Sequence, residues 1–213
     1  MCRMLLIQDD TPFNPEPDLI AFQDLCRASH VYQGHGWGIA YMDNRGEWRH
    51  YRSIIPIWKA DMGRIPPTRW LLAHARSAFN NEGIRVENNM PFFQNERNFI
   101  FNGEIRGVRF RAPGRIGAEK LFNVINHFCG DDLHTNLERA VHAVTSRSRH
   151  VRAMNMMLTE NDRTIVFSYF TQEADYFTLY KRKTGNRTTI CSGRFGLIED
   201  WSSLDNPCLE MVS

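Results

Sequence analysis

The 213-residue sequence contains no stretch approaching the roughly 18 apolar residues that would argue for a membrane span. Its first residues hold no basic segment followed by an apolar run and a cleavage site, so a signal peptide is not expected. There is little excess charge. A formal net of +2 with no long basic run leaves nucleic-acid binding without electrostatic support. Cysteine is sparse, and Cys2, Cys26, Cys129, Cys191 and Cys208 are odd in number and irregularly spaced, which suits neither a disulfide framework nor a zinc ribbon. Reduced thiols in a cytoplasmic protein are the simplest account. The eight histidines include no His-Glu-x-x-His arrangement, and no metal or other cofactor is expected. His134 and Glu138 have helical i, i+4 spacing but no third ligand, and read as a surface pair. No internal repeat, low-complexity tract or composition shift marks a linker, so one domain over residues 1–213 is expected, large enough for a substantial core.

What is present is a chain of ordinary globular composition, 42% hydrophobic and 23% charged. Residues 2–8 read as a short buried strand, and Pro15–His30 as a helix with Leu19, Ile20, Phe22, Leu25 and Cys26 near helical spacing. Gly36–Met42, a turn at Asp43-Asn44-Arg45-Gly46, and a strand through Tyr51 read as a hairpin. Trp70–Ala78 and Asn98–Ile105 read as two further strands. Ala118–Phe128 and Leu133–Thr145 each carry a broad apolar face and are predicted helices. Four strands follow, at Arg152–Leu158, Thr164–Phe170, Tyr176–Lys181 and Thr188–Cys191, with hairpin links at Glu160-Asn161-Asp162 and Thr184-Gly185-Asn186. Strands, two helices and strands again suit an α+β fold of two packed sheets flanked by helices. Met154, Met156 and Met157 read as fillers of an irregular core, and Arg147, Arg149 and Arg152 as a solvated turn.

Cys2 stands directly after the initiator methionine and opens an apolar run. Once Met1 is removed, Cys2 carries a thiol and a free α-amino group on one residue. That amine titrates near roughly 7.7–8.0 and can take up the thiol proton at neutral pH. Thiolate is the reactive form, and pairing a nucleophile with an N-terminal amine is an established route to it. The plainer alternative is a buried core cysteine.

Three motifs follow. Gly36-Trp37-Gly38-Ile39-Ala40 reads as the start of a strand where another backbone approaches closely. His74-Ala75-Arg76-Ser77-Ala78 puts an arginine at the end of an apolar strand, where it needs an anionic partner, either a structural carboxylate or a substrate's. Phe101-Asn102-Gly103-Glu104 sets a side-chain amide beside a glycine N–H, which is the donor set of an oxyanion hole or, more plainly, a turn.

The order of these features, with Glu87-Asn88-x-x-Pro91-Phe92 between the last two, resembles the class II glutamine amidotransferase domain. That domain belongs to the N-terminal nucleophile hydrolases, and the likeness is strongest to its short, stand-alone members. It is dense from Cys2 to about Lys120 and fainter at Cys191-Ser192-Gly193 and Trp201. The resemblance implies a four-layer αββα sandwich of two mostly antiparallel sheets flanked by helices. It implies that Cys2 attacks the side-chain amide of glutamine or a γ-glutamyl compound, that Asn102 and Gly103 hold the oxyanion, and that Arg76 binds the substrate α-carboxylate. Hydrolysis of the thioester would release glutamate.

The sequence departs from that pattern at four places. Gly117 stands where the family has the Asp that receives the substrate α-ammonium, a contact of roughly 1.5–3 kcal/mol. Met90 replaces a His, Phe101 a second His, and His35 an Asp. Glu87 and Glu104 are candidates to replace the missing acid. With Ser213 as the last residue, no acceptor-site synthase domain is expected; a true amidotransferase would then pass ammonia to a separate synthase subunit, whereas a chain acting alone suits hydrolysis of a γ-glutamyl amide. The alternative is a non-catalytic member of the fold used for ligand binding or complex assembly.

Overall fold

A computed structural model describes residues 1–128 and 132–212; Cys129 and Ser213 lie outside the described residues. In chain order the elements are β1 (Arg3–Phe13), α1 (Glu16–Arg27), β2 (Trp37–Met42), β3 (Trp48–Ser53), β4 (Thr68–Ala75), β5 (Phe92–Gln94) and β6 (Arg97–Arg106). Then come α2 (Gly117–His127), α3 (Leu133–Thr145), β7 (His150–Glu160), β8 (Arg163–Ser168), α4 (Ala174–Phe177), β9 (Tyr180–Thr184), β10 (Arg187–Cys191), β11 (Trp201–Ser203) and β12 (Cys208–Val212). One sheet of seven strands runs β11-β9-β10-β1-β4-β2-β3, and a second of five runs β12-β8-β7-β6-β5. Every pairing among the described strands is antiparallel. The α+β architecture of two sheets with helices is the one expected.

The period of two along each central strand builds the layers. On β1, Leu5 and Ile7 cluster with Leu19, Phe22 and Cys26 of α1, while Met4 and Leu6 belong to the core shared with the five-stranded sheet. Both faces are therefore buried, and the strand reads as a continuous apolar run. On β6, Phe99 stacks on Phe122 of α2 with ring centroids 5.1 Å apart. Its neighbours Asn98 and Asn102 alternate with it and reach across to the other sheet, where Asn98 Oδ1 lies 2.6 Å from His50 Nε2. His74 Nε2 of β4 lies 3.2 Å from the Phe101 carbonyl, an acceptor, so the ring proton sits on Nε2. His74 is fully buried and its Nδ1 has no partner.

Two expectations are corrected, and three short strands were not foreseen. Residues 176–181 are not one strand: Tyr176 and Phe177 close the short α4, and the strand begins at Tyr180. Backbone N–H bonds from Tyr176 and Phe177 to the Glu173 carbonyl wind that segment into a turn despite its β-prone composition. Arg152 is not in a solvated turn, because it lies on β7 and pairs with Glu104 and Glu173. Strands β5, β11 and β12, of three, three and five residues, were too short to show a period. As expected, the three methionines 154, 156 and 157 are fully buried, and His134 and Glu138 form a half-exposed pair 3.6 Å apart. No described helix is long and apolar enough to cross a membrane.

Phe99→Ala should cost about 3–5 kcal/mol of unfolding free energy, since it empties a buried ring site between β6 and α2; a loss under about 1 kcal/mol in denaturant titration would mean the site collapses freely. His74 gives a pH signature. Burial holds its pKa down at about 3, against 6.5 in an unfolded chain. Between those values the unfolded state binds the proton and the folded state does not, so stability falls as pH falls below 6.5. At pH 5 the loss attributable to His74 should be about 2 kcal/mol. His74→Gln should lose correspondingly less between pH 7 and pH 5, and an unchanged pH slope would be the contrary result.

Candidate active site

Strand register assembles the site. Arg3 pairs with Ala75, which sets Cys2 beside the end of β4, where Arg76 and Ser77 leave the sheet. Trp37 also pairs with Ala75, and the Arg76 amide donates to the Gly36 carbonyl at 2.8 Å. Gly36 has a φ of +115°, and an added Cβ would overlap the Asn89 amide and the Ser53 carbonyl. Only glycine permits both the conformation and the approach. Gly38 is likewise pressed against the Met90 carbonyl, so the Gly-Trp-Gly motif is the close backbone contact expected of it.

Across the gap between the sheets, the Cys2 backbone nitrogen donates to Asn102 Oδ1 at 2.8 Å. This contact settles the amide's orientation, since only the oxygen can accept. Asn102 is 1% exposed, and its Nδ2 is buried without a partner. A buried unpaired donor costs about 1–3 kcal/mol, so it marks a place where an acceptor is wanted. Gly103 follows on the same strand, and a Cβ there would strike the Ala153 carbonyl of β7. Asn102-Gly103 is thus strand, not turn.

The Cys2 sulfur receives the Ser77 N–H at 3.4 Å and lies 3.7 Å from the Ser77 carbonyl. Burial pushes the thiol above its ordinary value, against the chain's N-terminal charge, the Ser77 amide and the Arg76 guanidinium, which all pull it down. With Met1 in place, then, Cys2 is not a pre-ionised thiolate.

Arg76 is 5% exposed and donates to the carbonyls of Gly83 at 2.8 Å and Glu82 at 3.4 Å. No carboxylate pairs with it among the described residues. A structural ion pair among the described residues is therefore not the explanation of this arginine, whose partners are backbone carbonyls. Asn88 Nδ2 braces the same Gly83 carbonyl at 2.9 Å. His35 Nδ1 accepts the Ala78 N–H at 2.9 Å, and burial together with the nearby Arg76 and N-terminal charges keeps the ring neutral.

The acids proposed for the missing clamp are not available in the same way. Glu104 is engaged by Arg106 and Arg152, and these pairs hold its carboxyl below the usual range despite burial. Glu87 is exposed on the single turn Val86–Asn88. Gly117 is exposed at the first turn of α2, with open space where a side chain would be. The structure brings Cys2, Arg76, Asn102 and the adjoining Gly103 together, and leaves the charge balance around them positive.

Sequence reasoning missed Ser77, whose backbone alone contacts the sulfur, so no residue-type signal exists for it. It also missed Gln33 and Tyr176, which both bond the Met1 carbonyl. A cavity of about 460 Å³ lined by Phe110, Pro113, Val124, His127 and Arg147 involves none of these residues.

No protein-family model matches the sequence, and no curated protein does. Solved structures do match by shape. A glutamine aminotransferase class-II domain protein from Silicibacter pomeroyi superposes with a TM-score of 0.66 at 18% identity, over 99% of this chain and 94% of that one. Glutamine phosphoribosylpyrophosphate amidotransferase from B. subtilis superposes with a TM-score of 0.66 at 14% identity, over 90% of this chain, which spans only 42% of that longer one. A glutamine amidotransferase described from sequence in Pseudomonas aeruginosa PA01 gives 0.58 at 13% identity, over 99% of this chain and 96% of that one. At these identities the likeness is one of architecture: the chain has the fold of the class II glutamine amidotransferase domains.

Proposed function

We propose that the chain is a cysteine N-terminal nucleophile amidohydrolase acting on glutamine or a γ-glutamyl compound. The observation that carries this reading is the Cys2 nitrogen bonded to Asn102 Oδ1 while Asn102 Nδ2 stays buried and unpaired. One side chain thereby orients the base and offers a donor to an oxyanion.

In the proposed reaction Met1 has been removed. The substrate α-carboxylate binds Arg76, whose planar fork suits it. The Cys2 α-amine takes the thiol proton as sulfur attacks the side-chain carbonyl carbon. Asn102 Nδ2 and the Gly103 N–H hold the resulting oxyanion. Collapse breaks the C–N bond, and the α-amine passes its proton to the leaving nitrogen. Water then opens the thioester, releasing glutamate and the free thiol. The four described cysteines are unbridged, which supports a reducing, cytoplasmic setting. A separate synthase subunit would be needed only if the ammonia is used.

The losses at Gly117, Met90 and Phe101 favour a second reading, a non-catalytic member of the fold for ligand binding or assembly. Kinetics decide between them. Cys2→Ala should abolish amide hydrolysis, and Asn102→Ala should lower kcat by about 10²–10³ with little change in substrate binding. Intact mass should show Met1 absent from active protein. Full activity with Met1 retained, or an Asn102→Ala variant as fast as the parent, would exclude the mechanism.

A further inference from the structure

Beside Cys2 lies a seat that the reaction above does not use, and Met1 occupies it. The Met1 carbonyl accepts from Gln33 Nε2 at 2.8 Å and from the Tyr176 hydroxyl at 2.9 Å. Met1 packs against Ala153, Tyr176 and Phe177, with Val31 and Phe170 at the rim of the cluster. The walls are rigid. Ala153 and Phe177 are fully buried, Asn155 Nδ2 donates to the Phe177 carbonyl at 2.6 Å, and the Arg3 guanidinium lies 4.2 Å from the centre of the Tyr176 ring. Gln33 is 0% exposed, and its Oε1 has no partner even with Met1 present. Burial pushes the Tyr176 hydroxyl up to about 12, so it stays a donor.

Loss of Met1 would leave an apolar wall beside the Cys2 α-amine. It would also leave two donors with one fewer acceptor each: Gln33 Nε2 still reaches the Val31 carbonyl at 2.9 Å and the Tyr176 hydroxyl at 3.0 Å, and that hydroxyl still reaches the Cys2 carbonyl at 3.2 Å. The amine must deliver its proton to the leaving nitrogen, so that nitrogen sits within about 3 Å of it. Met1 was joined to the same nitrogen through a bond of about 1.33 Å. The leaving nitrogen and the space vacated by Met1 thus both border the Cys2 amine, and ammonia would leave that space unfilled.

Resting on the amidohydrolase reading, we propose that the Met1 seat is a leaving-group subsite for γ-glutamyl amides. It would take an amine bearing a hydrogen-bond-accepting oxygen and an apolar chain of about methionine size, as in a γ-glutamyl dipeptide. The oxygen would accept from Gln33 and Tyr176, and the chain would lie on Ala153 and Phe177. In the step itself the sulfur–carbon bond forms, the carbon–nitrogen bond breaks, and the thiol proton leaves on the amine.

The test uses protein whose intact mass lacks Met1 and compares kcat/KM for γ-glutamyl-methionine and glutamine. The parent should prefer γ-glutamyl-methionine. Tyr176→Phe removes one donor, and Val31→Phe fills the rim; each should lower the ratio of the two kcat/KM values by about tenfold. A parent without that preference, or variants that lower both substrates equally, would overturn the subsite while leaving the amidohydrolase reading intact. Absence of turnover with either substrate would overturn both.

Discussion

The hydrogen bond from the Cys2 nitrogen to Asn102 Oδ1 joins the two sheets at the point where their chemistry-bearing residues meet. One partner precedes the central strand of the seven-stranded sheet, and the other sits within the five-stranded sheet. Neither sheet holds the constellation alone. Arg76 and Ser77 arrive through β4, Asn102 and Gly103 through β6, and only face-to-face packing sets them around one sulfur. Interior packing makes that placement stiff, because strands buried on both faces have no room to slide.

Polar groups crossing this interface come at a cost. His50–Asn98, His74–Phe101 and Cys2–Asn102 are all buried or half-buried, and the Nδ2 donors of Asn98 and Asn102 and the Nδ1 acceptor of His74 are unpaired. Burying such groups opposes folding unless each finds a partner. The apolar core around them supplies the compensating stability, with Phe99, Ile100, Leu6 and Met157 completely enclosed. The unpaired Nδ2 of Asn102 is thus a cost carried by the fold.

Electrostatics sharpen the substrate question. Arg76 has no anionic partner among the described residues, and Glu104 is already held by two arginines. In the proposed reaction Arg76 would receive a carboxylate, with no described carboxylate paired to it. Gly117 has open space where a side chain would be.

Much of this was legible in the residues. Long periodic segments announced themselves: Leu133–Thr145 is the helix its apolar spacing demanded, and the hairpin around Asp43–Gly46 follows from turn chemistry. Cys2, Arg76, Asn102 and Gly103 were singled out through the order of their motifs and the resemblance that order carries, since each taken singly had a plainer structural reading. Short strands were not, since three residues cannot display a period, and α4 was misread because local hydrogen bonding overrode a β-prone composition. Ser77 contributes only its backbone, and Gln33, Asn155 and Tyr176 contribute through contacts spanning up to 175 positions in sequence. The amino-acid sequence determined which functional groups exist and which segments are helix or strand, because those are properties of residue type and local spacing. Which arginine lacks a carboxylate, which amide is left unpaired, and what surrounds Met1 were decided only by the tertiary structure, because each is a relation between strands brought together from distant parts of the chain.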